Sequence, residues 1–263
     1  MLDEIPVSLE RRGGVALLTI TRAARRNALS RETLFALGRL GREAVADPTV
    51  RAIVITGEGD KAFCAGADLK ERQGMSADDV RVQVGLYRTE LGVLDLSPKP
   101  VIAAINGHAL GGGSELALCC DYRVMVEDGR SRIGQTESSL GIIPGAGGTQ
   151  RLPRLIGKAR AMRYLIESTR LSAREAEAVG WVDRAVAPDE FQGAVAELAG
   201  RLAKGATFAI AMIKDAVLRG QDLPVDLALA IESENFARAS LTTDAAIGIM
   251  SFLSKQEPEF SGS

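Results

Sequence analysis

The sequence predicts an α/β fold, and three observations carry that expectation. Short apolar runs suited to buried strands recur at residues 52–56 (AIVIT), 101–105 (VIAAI) and 122–126 (YRVMV). Helical patterns separate them, which is the alternation of an α/β domain. From Gly148 onward the pattern turns mainly helical. The chain has 263 residues, 46% hydrophobic and 25% charged, enough apolar material for a sizeable core in one or two domains.

The elements follow in order. Residues 7–10 and 15–20 read as strands around a Gly13-Gly14 turn. Ser30 is placed to N-cap a helix over 31–46, where Leu34, Leu37, Leu40 and Ala44 share a face. After the strand at 52–56, residues 58–67 read as a loop and 77–94 as a helix. The strand at 101–105 ends at Asn106-Gly107, and a helix opens among the following glycines and runs to Cys120. Beyond the strand at 122–126, one short strand is expected at 182–186. Helices are expected at 159–168, 173–179, 190–203, 208–219, 225–239 and 244–255, with Gly220 and Pro224 as punctuation.

Composition narrows the functions. The formal net charge is −2, from 32 basic and 34 acidic side chains, which offers no footprint for a nucleic-acid or acidic-membrane partner. Cys64, Cys119 and Cys120 are odd in number and two are adjacent, so no disulfide framework is implied and a reducing, cytoplasmic setting fits. Met1-Leu2-Asp3-Glu4-Ile5-Pro6 lacks the basic start and apolar run of a secretory leader. No stretch approaches the ~20 apolar residues of a membrane span. His108 is the one histidine, which excludes a two-histidine zinc site, and no CxxC pair exists; no metal or separate cofactor is expected. Its place after a buried strand favours a structural role. Trp181 and the cysteines read as core.

Three small-residue segments hold the chemistry. The first is Phe63-Cys64-Ala65-Gly66-Ala67-Asp68-Leu69 and the second Ala109-Leu110-Gly111-Gly112-Gly113-Ser114-Glu115-Leu116. The third runs from Gly134-Gln135-Thr136-Glu137 to Gly145-Ala146-Gly147-Gly148. A helix that starts on glycines presents N–H groups without internal partners at the positive end of its dipole, a natural oxyanion site. A tight strand-to-helix turn is the competing explanation for the glycines. Glu115 lies one turn into an otherwise apolar helix, where a carboxylate is costly unless paired or used; service as a helix N-terminal acid is the alternative. Glu137, alone, reads as a solvated loop residue, and 65–68 as a turn capped by Asp68.

Taken together and in this order, the segments resemble the crotonase superfamily, the enoyl-CoA hydratases and isomerases. FCAGADLKE (63–71), NGHALGGGSELALCCD (106–121) and GQTESSLGIIPGAGGTQRL (134–152) carry the resemblance, which extends to RRNALS (25–30) and FLSKQEPEFSG (252–262). It implies a crotonase-like spiral of ββα units over residues 1–200 and a C-terminal helical trimerisation region over 201–263, in trimers often paired as hexamers. By it, Ala67 and Gly112 match the two oxyanion N–H donors, and Glu115 and Glu137 the two catalytic glutamates. Ala65, Ala67, Asp68, Leu69 and Lys70 match the stretch that holds the CoA adenine and pantetheine, joined by Arg26 and Gly112. Lys255 and Phe260 resemble tail residues that reach CoA, often across a subunit boundary. Coenzyme A is thus part of the substrate.

The implied activity is addition of water to a 2-enoyl-CoA. Two glutamates favour a hydratase over isomerases and dehalogenases of the family, which generally place a single acid or a different one. Thr136 departs from the proline many hydratases have before the second glutamate, and Ser114 also varies. Residues 61–72 and 140–154 look like the branch that hydrates 3-methylglutaconyl-CoA in leucine breakdown. The alternatives are that hydratase, a Δ3-Δ2 enoyl-CoA isomerase, an inactive scaffold, or an RNA-binding protein. Some relatives in that branch bind AU-rich RNA through a lysine-bearing helix. The matching helix here has Arg31, Arg39 and Arg42 beside Glu32 and Glu43, and no lysine, which speaks against RNA.

Overall fold

The computed structural model describes residues 6–262; residues 1–5, in the stretch read as lacking a leader, lie outside that range. A hairpin of β1 (Val7–Arg12) and β2 (Val15–Ile20) opens the chain, followed by α1 (Arg31–Ala46). Ser30 accepts the Thr33 N–H at the start of α1, as its position predicts. Next come β3 (Ala52–Gly57), β4 (Ala62–Cys64), α2 (Leu69–Arg72), α3 (Ala77–Leu86) and α4 (Gly92–Asp95). The third stretch is β5 (Val101–Ile105), β6 (His108–Leu110), α5 (Gly112–Leu118), β7 (Tyr122–Val126), β8 (Ile133–Gly134) and α6 (Gly148–Ile156). It is followed by α7 (Lys158–Glu167), β9 (Arg170–Leu171), α8 (Ala173–Ala178), β10 (Arg184–Val186) and α9 (Phe191–Ala203). The chain closes with α10 (Thr207–Gly220), α11 (Val225–Ser240) and α12 (Thr243–Ser254).

Two sheets organise the core. The larger has the order β1-β2-β3-β5-β7-β10, antiparallel at β1–β2 and parallel elsewhere. Leu18 pairs with Ile55 and Ile55 with Ala103, so alternate residues of neighbouring strands line one face. Ile53, Ile55 and Ile105 on that face join Leu34 and Leu37 of α1 in the main cluster. Val54, Ile102 and Val124 on the other face pack with Phe191 and Val195 of α9. The smaller sheet has the order β4-β6-β8-β9. Three times, a long strand (β3, β5, β7) turns a corner into a short one (β4, β6, β8), and a helical segment follows. This is the ββα repeat expected from the resemblance. Asn27 and Asn106 tie down one corner: Asn27 donates to the Glu58 and Ala62 carbonyls, and Asn106 to those of Gly57 and Gly59.

The structure corrects several boundaries. Residues 58–67, read as loop, contain the buried strand β4. Strands of two or three residues have no room for an alternation pattern. The helix expected over 77–94 is α3 and α4 joined by one π-helical turn, Tyr87–Leu91. α6 was not anticipated, because Pro153 lies inside it and glycines open it. The strand at 182–186 is confined to β10.

His108 accepts the Arg132 N–H through Nδ1, a structural role. Cys64, Cys119, Cys120 and Trp181 are buried. Burial pushes the Cys64 and Cys119 thiols up to about 12, which leaves them without thiolate reactivity. Among the described residues no helix is long and apolar enough to cross a membrane. The last three helices leave large apolar side chains in solvent, including Phe236, Ile249 and Phe252, the last 83% exposed.

Candidate active site

Two backbone amides meet where the sheets converge. Leu29 brackets Ala67: its N–H donates to the Gly66 carbonyl and its own carbonyl accepts the Asp68 N–H. That leaves the Ala67 N–H between two engaged groups and without an internal acceptor among the described residues. Gly112 is the first residue of α5, so its N–H has no carbonyl one turn earlier to donate to. The two sites adjoin: a Cβ placed on Gly112 would lie 3.5 Å from the Ala67 nitrogen. Gly111 precedes with φ 52°, a left-handed turn that aims the start of α5 at Ala67. Gly66 must be bare too, since a Cβ there would come within 2.8 Å of the Leu110 carbonyl oxygen.

Two carboxylates flank these amides. Glu115, on α5, is 2% exposed. Its Oε1 accepts the Ala146 and Gly148 N–H groups, each at 2.7 Å. Burial pushes its carboxyl above the usual range while those amides pull it back. Glu137 stands on a single 3-10 turn, Glu137–Leu140, and is 8% exposed. The solvated loop position that sequence favoured for it is therefore corrected. Its Oε1 packs over Gly111, and its Oε2 is buried with no hydrogen-bond partner. Burial, with the Glu115 charge adding to it, raises its carboxyl from 4.5 to about 7.

A cavity of about 700 Å³ opens over this cluster, with Ala67, Gly112, Glu115 and Glu137 in its lining. Its other walls are largely apolar. Ala65 and Leu69 also line it. The Asp68 side chain instead caps α2 through the Lys70 N–H and pairs with Arg22 at 3.0 Å. Lys70 is exposed on α2. Arg26, in left-handed backbone, holds the Ala65 N–H on its carbonyl and lines a smaller depression with Lys61 and His108. Lys255 ends α12, and Phe260 packs near Gly248; within one chain neither lines the main cavity. Sequence reasoning missed Ala146 and Gly148 as the seat of Glu115, and Leu29 as the clamp on Ala67. The glycine cluster 145–148 was the available signal for the first.

Comparison with known proteins bears on this geometry. The family described as enoyl-CoA hydratase/isomerase matches residues 10–263. A crotonyl-CoA hydratase of Syntrophomonas wolfei is 39% identical over 97% of this chain and 97% of its own length. A mitochondrial methylglutaconyl-CoA hydratase of Mus musculus is 37% identical over 96% of this chain and 81% of its own. The crystal structure of an enoyl-CoA hydratase from Bacillus anthracis superposes with a TM-score of 0.93 at 38% identity, covering 98% of this chain and 100% of that one.

Proposed function

The chain belongs to the enoyl-CoA hydratase/isomerase family, and from that premise we propose that it is an enoyl-CoA hydratase, a hydro-lyase that adds water across the α,β double bond of a 2-enoyl-CoA thioester. One observation carries the reading: two uncommitted amides and two buried carboxylates, held differently, share one cavity. The thioester oxygen accepts the Ala67 and Gly112 N–H groups. As water attacks Cβ, electrons move onto that oxygen as an enolate. A single donor of this kind is typically worth ~3 kcal/mol. Glu115, whose ionised form is favoured by the Ala146 and Gly148 amides, takes the proton of the attacking water. Glu137, kept protonated near neutrality by burial, delivers a proton to Cα. Water's hydroxide ends on Cβ and a proton on Cα, and proton exchange between the glutamates and solvent restores the site.

Arg26, Ala65, Ala67, Asp68, Leu69, Lys70 and Gly112 are proposed to hold the CoA part of the substrate. Lys255 and Phe260 stand away from the cavity of their own chain, which is consistent with their reaching CoA in a neighbouring copy. The exposed apolar side chains of α10, α11 and α12 support a homo-oligomer, a trimer or a dimer of trimers, with 201–263 as its assembly region. Free, buried cysteines support a reducing, cytoplasmic setting.

The test is to follow loss of the conjugated thioester absorbance with crotonyl-CoA and to identify the product. Formation of 3-hydroxybutyryl-CoA is expected. Conversion of a 3-enoyl-CoA to a 2-enoyl-CoA without water uptake would assign an isomerase instead. Comparison with 3-methylglutaconyl-CoA belongs in the same panel, and strong preference for crotonyl-CoA would remove the leucine-breakdown branch.

A further inference from the structure

The loop that seats Glu115 is itself held from behind. Gly145, Ala146, Gly147 and Gly148 lead into α6, and Arg151 on its first turn folds back over them. The Arg151 Nη1 donates to the Ala146 carbonyl at 2.9 Å, while the Ala146 N–H donates to Glu115 Oε1 at 2.7 Å. Its Nη2 and Nε donate to Asp95 Oδ2 at the end of α4, at 2.7 and 3.3 Å. The guanidinium lies over Gly147, where φ is 106° and a Cβ would overlap Nη1. Gly148, next in the chain, donates the second N–H to Glu115. Asp95, Arg151, Ala146 and Glu115 thus form one line of contacts from α4 to the cavity. Arg151 and Asp95 are half-buried, and neither lines the cavity itself.

We propose that Arg151, itself oriented by Asp95, is a positioning residue that holds the 145–148 loop and so sets Glu115 in place as the base of the reaction. The inference rests on the hydratase reading for that role of Glu115. A guanidinium suits the task because its planar fork engages two acceptors at fixed angles, which a lysine ammonium does not. Two amides fix the Glu115 oxygen only as well as their own loop is fixed, and small displacements of a reacting group are costly in rate. The charge matters as well as the fork. Burial raises the Glu115 carboxyl, and the Arg151 charge works with the Gly148 and Ala146 amides to lower it. The other titratable or charged groups about Glu115 are Glu137 on its 3-10 turn, Tyr87 on the π-helical turn, Cys119 further along α5, Cys64 on β4, Asp95 on α4 and Arg72 across the cavity on α2. The thiols and the phenol are neutral at working pH and the two acids oppose ionisation, so Arg151 supplies the adjoining cation.

The test is the pH profile of crotonyl-CoA hydration by the intact protein and its variants. Arg151→Met should lower kcat at least ~10-fold at the optimum with KM little changed. The limb on which kcat/KM rises with pH reports ionisation of the base, so loss of the cation should move it upward by about 1 pH unit. Arg151→Lys keeps the charge and loses the fork, so the limb should return most of the way while kcat stays low. A double-mutant cycle asks whether Arg151 acts through Glu115: Glu115→Gln with Arg151→Met should turn over no more slowly than Glu115→Gln alone. A further full loss in the double variant would overturn the inference, and so would an Arg151→Met profile that keeps its limb and raises only KM. Should Arg151→Met not fold, Arg151→Lys and Asp95→Asn carry the test, and a parent-like kcat in both would overturn it. Infrared difference titration of the carboxyl band, assigned with Glu115→Gln, reads the same rise in Arg151→Met without turnover. An unmodified chain that hydrates no 2-enoyl-CoA would sink the hydratase reading, whereas an unmoved Glu115 band in Arg151→Met would sink this one.

Discussion

One wall of the cavity is backbone held between two sheets; the wall facing it is side chains carried on α3 and on the loop around 140–146. On the first, Ala67 and Gly112 present amides fixed by Leu29, by the turn at Gly111 and by the strands β4 and β6. On the second, α3 is largely exposed on its outer face and α2 is one turn long. In the proposed mechanism the backbone wall sets the reaction, because its donors must sit where charge develops, and it has no volume to spare. The side-chain wall is then the part that would select the acyl group, and it can change without moving the chemistry. The two carboxylates repeat the contrast on a smaller scale, Glu115 seated on two amides and Glu137 left without an acceptor or donor for Oε2.

The contrast breaks most severely at Gly113. A Cβ there would overlap the Cys64 carbonyl oxygen, a backbone atom in β4 that no rotamer change can move. Gly113→Ala is expected to yield no cooperatively folded protein. A thermal melt within a few degrees of the parent would show that the backbone wall is not as closely set as described.

The glutamates are next. Glu137→Gln should lower turnover by at least ~100-fold while the protein stays folded, and near-normal turnover would remove Glu137 from the mechanism. Glu115→Ala should lose turnover as well, and also stability. It strands the buried Ala146 and Gly148 N–H groups, each at a cost of about 1–3 kcal/mol. A denaturant titration separates the two cases, since Glu115→Ala alone shifts the midpoint down.

Titration sharpens the same difference. In the proposed mechanism Glu137 is the acid, so kcat/KM for hydration should fall as pH rises through about 7, its raised value. Stability follows with a definite sign. The folded value lies above the ordinary 4.5, so ionising Glu137 in place costs stability. The cost is absent below about 4.5, grows through the interval and is complete above about 7. Discounted for partial screening, it is on the order of 1–2 kcal/mol. Glu137→Gln should therefore be the more stable protein at pH 8 and equal to the parent near pH 4. A basic limb near 7 that persists in Glu137→Gln would assign the titration to another group.

Legibility in the sequence divides along the same line. The long strands β3, β5 and β7 were readable from their apolar runs, and the burial of Glu115 from the apolar residues around it on α5. The short strands β4, β6, β8 and β9 were not, because two or three residues show no period and their pairing is decided by the corners before them. Glu137 looked solvated because its neighbours in sequence are polar; its burial depends on contacts across the fold, with Gly111 among its neighbours. Asn27 was visible only as part of a motif, while its work, holding the Glu58 and Ala62 carbonyls, depends on a segment 31 to 35 residues away.

The smallest expected effect tests the independence of the side-chain wall. Ser76 opens α3 with a capping box: its Oγ accepts the Asp79 N–H, and the Asp79 carboxylate accepts the Ser76 N–H. Ser76→Ala removes one side of this and should cost ~1 kcal/mol, expressed as fraying of the first turn of α3. Val80, Gln83 and Val84 of that helix line the cavity, so the acyl pocket loosens while the amides at Ala67 and Gly112 stay where the sheets hold them. The expected result is a KM raised a few-fold for acyl-CoA with kcat little changed, and increased amide exchange confined to 76–80. An equal fall in kcat would mean that the helix also sets the geometry of the reacting atoms, and the two walls would then be one unit.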